Sequence, residues 1–140
     1  MGERVKMHLR FLNLWRAVGW LLVSFVVLFS LLPEPPGVIE FEQGDKFGHL
    51  VAYWSLMLWF GNIYWERSRQ AFLAGAFLAM GVALEFLQGL SGYRTFQYMD
   101  MVSNGAGILV GWLLVRTRCG RFLWKLDSAL ERIIIFRAGP

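Results

Sequence analysis

The chain has 140 residues, 56% hydrophobic and only 17% charged, with seven Trp and twelve Phe. That balance is too apolar for a soluble domain of this size and indicates a small integral membrane protein. The net charge of +4 reads as membrane topology and attraction to anionic lipid, with no nucleic acid expected as a partner, and a single cysteine, Cys119, excludes an intramolecular disulfide.

Crossing a hydrocarbon core about 30 Å thick takes roughly 20 helical residues. Four stretches approach that length: Leu12 to Leu32, Phe47 to Tyr64, Ala71 to Leu90 and Met101 to Val115. The expected fold is an all-α membrane protein with four transmembrane helices over residues 1–118 and a short C-terminal amphipathic helix in an interfacial tail, 119–140. The first stretch follows Arg4, Lys6, Arg10 and Arg16 as a secretory signal would. It leaves through Phe29-Ser30-Leu31-Leu32-Pro33-Glu34-Pro35-Pro36, which lacks a small-residue cleavage pattern, so it is expected to stay as an anchor.

The first connection is acidic, with Glu34, Glu40, Glu42 and Asp45, and the second stretch opens on Asp45, Lys46, His49 and Tyr53. Asp45, His49 and Tyr53 are four residues apart in turn and share one helical face. The third stretch carries small residues at Ala71, Gly75 and Ala79 and ends near Glu85 and Gln88. Arg94 sits in the short connection that follows. The fourth opens with Asp100 and Asn104 and carries Ser103, Gly107 and Gly111. Lipid gives helices no hydrophobic reason to associate, so the two small faces are expected to meet each other, with a homodimer seam as the alternative. Beyond it, Phe122, Leu123, Leu126, Leu130, Ile133 and Ile134 recur at helical spacing, which fits a helix on the inner interface or one packed on the bundle.

Under the four-span reading, twelve of the fourteen Lys and Arg residues fall on one side and only Lys46 and Arg94 on the other. Both termini are therefore expected to be cytoplasmic. The polar residues cluster near the opposite, outer face. An ionisable group at membrane depth costs about 2.5 to 3.5 kcal/mol on insertion scales, so its default reading is a functional site facing protein or water. The candidates are His49, Glu85 and Asp100 as catalytic groups, with His49 or Glu85 transferring a proton, and Asp45, Lys46, Tyr53, Gln88, Arg94 and Asn104 for ligand contact.

Plainer roles compete. Asp45 and Asp100 precede apolar runs as helix N-caps do, a role worth about 1 kcal/mol, and His49 and Asn104 suit interhelical hydrogen bonds. Glu85 is harder to place structurally, because it needs a proton or a cation, and Lys46, Arg94 and His49 are the cationic candidates. No motif calls for a cofactor. A divalent metal on His49, Glu85, Asp100 and Asn104 is chemically allowed, since oxygen donors with one imidazole suit magnesium, manganese or zinc. The two-histidine chemistry of lipid phosphatases is disfavoured, because the second histidine, His8, lies on the cytoplasmic side. The spacing Asp45-x-x-x-His49 is echoed by Asp100-x-x-x-Asn104, which suggests two related helical hairpins.

The ordered set Asp45-Lys46-x-x-His49-x-x-x-Tyr53, Glu85-x-x-Gln88, Arg94, and Asp100-x-x-x-Asn104-x-x-Gly107-x-x-x-Gly111 resembles the VanZ-like family of small bacterial membrane proteins, over about Leu12 to Val115. The resemblance implies a multi-pass protein of the bacterial inner membrane. It also implies kinship with a protein that confers low-level resistance to teicoplanin, a lipid-tailed glycopeptide acting outside the membrane. Three functions stay open. The chain could bind a lipid-linked or lipid-tailed anionic ligand of the cell envelope at the outer leaflet, with membrane lipids as its other partners. It could be an enzyme acting on a lipid headgroup by acid/base or metal-assisted chemistry. It could be a structural or partner-stabilising protein.

Overall fold

The computed structural model describes residues 9–33, 44–92, 94–117 and 119–138. These residues form five α-helices and no strand: α1 Leu12–Ser30, α2 Gly44–Ile63, α3 Arg67–Leu90, α4 Tyr98–Val115 and α5 Phe122–Ala138, with a 3-10 turn at Cys119–Arg121 before the last. The fold is all-helical, as expected. Arg4, Lys6, His8, Arg118 and the acidic residues Glu34, Glu40 and Glu42 lie outside the described residues.

Three helices, α1, α3 and α4, are long and apolar enough to cross a membrane, in place of the four expected. The exception is α2. It has the length, at 20 residues, but it opens on Asp45, Lys46 and His49 and ends beside Asn62. It is also the helix most enclosed by protein: Tyr53, Leu56, Met57 and Phe60 are all buried. Partner side chains rather than lipid meet its polar groups, which is where such groups belong in a bundle.

Successive helices run in opposite directions. The C-terminal ends of α1 and α3 meet where Gln88 Nε2 donates to the Ser30 carbonyl at 2.6 Å. The starts of α2 and α4 meet where His49 Nδ1 lies 3.0 Å from Asn104 Oδ1. Helices α2 and α4 are therefore parallel neighbours, and their backbones nearly touch. A Cβ on Gly107 would fall 2.3 Å from the Leu50 carbonyl oxygen, and one on Gly111 would fall 2.7 Å from that of Trp54.

The small face of α4 thus packs on α2, not on α3 as the sequence suggested. Ala71, Gly75 and Ala79 are exposed, and a Cβ on Gly75 would meet nothing within 4 Å. Small residues permit a close approach without choosing the neighbour. Where α3 does come close, it uses Gly81, whose Cβ would stand 2.8 Å from Asn104 Nδ2 and 3.1 Å from Tyr53 Oη.

At the far end of the bundle α1 crosses α2, with Gly19 against the Phe60 ring and Trp15 edge-on to Trp59 at 6.1 Å. Trp59 Nε1 donates to the Trp15 carbonyl at 3.0 Å. The first half of α5 packs here, with Leu123 fully buried in the core. Asp127 is buried too, and it accepts from the Arg10 amide at 2.8 Å, the Phe11 amide at 3.0 Å and Trp15 Nε1 at 2.6 Å. Phe11, the residue before α1, has no side-chain cap of its own. Asp127 supplies that cap from another helix, placing a negative charge at the positive end of α1. Arg10 also pairs with Glu131.

Candidate functional site

The opposite end of the bundle, where α2 and α4 begin and α3 finishes, gathers most of the polar residues singled out in the sequence. Neither expected N-cap is one. The residue before α4 is Gln97, with no side-chain cap bond, and Asp100 already lies in the first helical turn. Asp45 likewise lies in the first turn of α2. The helix dipole favours a carboxylate in both places, but one carboxylate oxygen of each residue turns toward His49.

Asp45 Oδ2 accepts from Arg94 Nη2 at 2.6 Å. Its Oδ1 stands 4.0 Å from His49 Nε2, and Asp100 Oδ2 stands 3.6 Å from the same nitrogen. His49 is thus the hub, holding Asn104 with one ring nitrogen and facing two carboxylates with the other. The four-residue spacings put Asp45 and His49 on one face of α2 and Asp100 and Asn104 on one face of α4, and the parallel pairing brings those faces together. Ligand atoms from Asp45, His49 and Asp100 all lie within 4.8 Å of one another, so this trio could hold a cation.

Glu85 departs from expectation. No cation pairs with it among the described residues; its Oε1 accepts the Gln97 backbone N–H at 2.7 Å and so ties α3 to the start of α4. Arg94 is taken by Asp45, and Lys46 reaches the Gln97 side chain, Nζ to Oε1 3.4 Å. Gln88 is engaged in holding α3 to α1. Tyr53 lies beside Asn104 across Gly81. Three deeply buried oxygens here have no hydrogen-bond partner: Glu85 Oε2, Asp100 Oδ1 and Tyr53 Oη. Buried polar atoms are almost always satisfied in native proteins; Arg16 Nε, Trp54 Nε1 and Asn62 Oδ1 are unpartnered too, but only here among the described residues do three acidic or phenolic oxygens fall together.

Beside this cluster runs a cleft of about 440 Å³ between α1 and α2. Leu22, Phe25, Val26 and Phe29 form one wall, and Val51, Ala52 and Leu56 form the other. Asp45, His49, Tyr53 and Arg94 border it too. The eight helical steps from Leu22 to Ser30 make it about 12 Å long at 1.5 Å per residue. Sequence reading missed this wall of α1 altogether, because apolar residues facing a cleft have the same composition as apolar residues facing lipid. Gln97, the hinge between Glu85 and Lys46, was missed as well. Its only signal was its place one residue before an apolar helix.

A family model described as VanZ/LLP1 matches residues 4–123 of the chain. Searches of curated proteins and of solved structures returned no match.

Proposed function

The chain belongs to the VanZ/LLP1 family, and from that premise we propose that it is a membrane protein that binds a lipid-tailed anionic amphiphile of the cell envelope. The tail lies in the cleft between α1 and α2, and the headgroup reaches Arg94, Lys46 and the His49 cluster. The observation that carries this reading is the continuity of an apolar cleft of about 440 Å³ with charged residues at its border. Small-molecule sites have this form, mostly apolar walls of about 300 to 1,000 Å³ with a few polar groups that fix orientation. A purely structural role accounts for neither the cleft nor the three unpartnered oxygens.

The orientation in the bacterial inner membrane follows from charge. Lys46 and Arg94 lie at the site end. Arg10, Arg16, Arg67, Arg69 and Arg116 and the basic residues of α5 belong to the far end, which we assign to the cytoplasm. The headgroup site then faces outward, toward cell-wall precursors. Teicoplanin, with its acyl tail, is one ligand of the class this site would take.

The test compares wild type with Val26→Trp, which fills the cleft, and Arg94→Gln, which removes the headgroup contact. Lipids that copurify with each protein are identified by mass spectrometry, with detergent-phase melting as the control for folding. Wild type is expected to retain a defined anionic amphiphile, and both variants are expected to lose it. Equal retention by a folded Val26→Trp protein would refute the reading. For the glycopeptide case, the measurement is the teicoplanin concentration that inhibits cells expressing wild type beside that for cells expressing Val26→Trp.

A further inference from the structure

His49 Nδ1 lies 3.0 Å from Asn104 Oδ1, an oxygen that can only accept, so Nδ1 carries the hydrogen. In neutral imidazole the other nitrogen then presents a lone pair. That nitrogen, Nε2, faces Asp100 Oδ2 at 3.6 Å and Asp45 Oδ1 at 4.0 Å, both too far for a hydrogen bond. Two carboxylates facing that nitrogen call for a positive charge between them, either a proton on Nε2 or a bound cation.

We propose that Asp45, His49 and Asp100 form a binding site for a divalent transition-metal ion, zinc by donor class, through His49 Nε2 and one oxygen from each aspartate. Two donors bound to one tetrahedral zinc at about 2.1 Å stand about 3.4 Å apart. The three ligand atoms here lie within 4.8 Å of one another, so small side-chain rotations close the set. A second observation points the same way. Asp100 is only 2% exposed, and its Oδ1 has no partner, a state that asks for a counter-charge.

The outer contacts match as well. Metal-bound histidines commonly donate their free N–H to an oxygen, and metal-bound carboxylates are held by a further hydrogen bond. Asn104 holds His49 in this way, and Arg94 holds the Asp45 oxygen that faces away from His49. One imidazole with two carboxylates suits zinc or manganese better than a thiolate-seeking ion. Three protein ligands leave a coordination position free, and Asp45 and His49 both border the cleft. This inference rests on the amphiphile reading for what fills that position, a phosphate or carboxylate oxygen of the headgroup. Asp45, Asp100 and Glu85 outnumber Lys46 and Arg94, and a divalent ion reverses that balance in favour of an anion.

The test strips the full-length detergent-solubilised protein with EDTA, titrates it with Zn2+ alone, and records the visible spectrum with Co2+ in its place. One Zn2+ per chain and an intense low-symmetry Co2+ spectrum are expected. Asn104→Ala, which removes only the contact orienting His49, is expected to weaken Zn2+ binding about 10- to 100-fold, and Asp100→Asn and His49→Gln to weaken it further. Metal-free Asp100→Asn should melt no lower than metal-free wild type, which shows that the loss of binding is not loss of fold. Wild type that binds Zn2+ no more tightly than a folded Asp100→Asn protein would overturn the proposal, leaving an imidazolium shared by two aspartates. Amphiphile retention by stripped protein separates the two readings. Retention without zinc binding removes only the metal site, and zinc binding with no effect of Val26→Trp on retention removes only the amphiphile.

Discussion

The two ends of the bundle each bury a carboxylate, and they treat it in opposite ways. At the far end, Asp127 is 3% exposed, and both of its oxygens are filled by two backbone amides and an indole N–H. At the site end, Asp100 is buried as deeply, yet one oxygen has no partner and the other stands 3.6 Å from His49. The first arrangement is complete without any ligand. The second is incomplete, and its neighbours Glu85 and Tyr53 carry unpartnered oxygens too. A buried carboxylate whose oxygens are all hydrogen-bonded supports the fold, whereas one with an unpartnered oxygen leaves room for a further partner.

The largest effect should come from Asp127→Ala. It leaves the buried Trp15 indole N–H without its acceptor, at about 1 to 3 kcal/mol for a buried donor left unpaired, and the part-buried Arg10 and Phe11 amides lose theirs as well. Detergent-phase melting should fall sharply, and an unchanged midpoint would erase the contrast between the two ends. Next in size is Gly107→Ala, where the new Cβ meets the Leu50 carbonyl at 2.3 Å and overpacking costs about 1 to 3 kcal/mol. Gly75→Ala, in open space, should instead stabilise by about 0.5 to 1 kcal/mol through helix propensity. The reverse ranking in paired melts would show that α4 does not pack on α2 through this glycine.

Acid sharpens the comparison. Burial alone would push the Asp127 carboxyl up, but the hydrogen bonds from Trp15 and the Arg10 and Phe11 amides, with the Arg10 charge, hold it below the ordinary aspartate value of 3.8. A depressed folded-state value stabilises the protein above the unfolded pKa, and that contribution is lost as pH falls through the folded one. The melting deficit of Asp127→Ala should therefore be full at neutral pH and shrink as the pH drops below about 4. A deficit that stays constant down to strong acid would mean that the carboxylate charge is irrelevant to the far end.

Smaller still is Asp100→Asn, expected to leave metal-free stability unchanged or slightly higher, because it removes one of two carboxylates facing the same nitrogen. A loss as large as that of Asp127→Ala would make the two ends equivalent. Smallest is Tyr53→Phe. The hydroxyl has no protein partner, so melting should move by less than about 0.5 kcal/mol, while amphiphile retention falls if the hydroxyl meets the headgroup. Mass spectrometry of bound lipid beside the melt distinguishes these outcomes.

Much of the site was readable because helical spacing is local. The intervals Asp45 to His49 and Asp100 to Asn104 put each pair on a single face, whatever the rest of the chain does. The choice of partner was not readable. Arg94 was as eligible for Glu85 as for Asp45; in the fold it pairs with Asp45, and Glu85 takes the Gln97 amide instead. Asp127 looked like one more polar residue on an amphipathic helix. Only the docking of α5 against the start of α1 turned it into a cap.

Composition and period by themselves determined that the protein is helical, membrane-embedded and polar at one end, because apolar content and 3.6-residue spacing are properties of short stretches of chain. Tertiary structure decided that α4 lies on α2, that Arg94 pairs with Asp45, and that a cleft opens beside the buried cluster. Each of these depends on which surfaces face one another. A glycine, an arginine or a phenylalanine carries no record of its neighbour until the helices have packed.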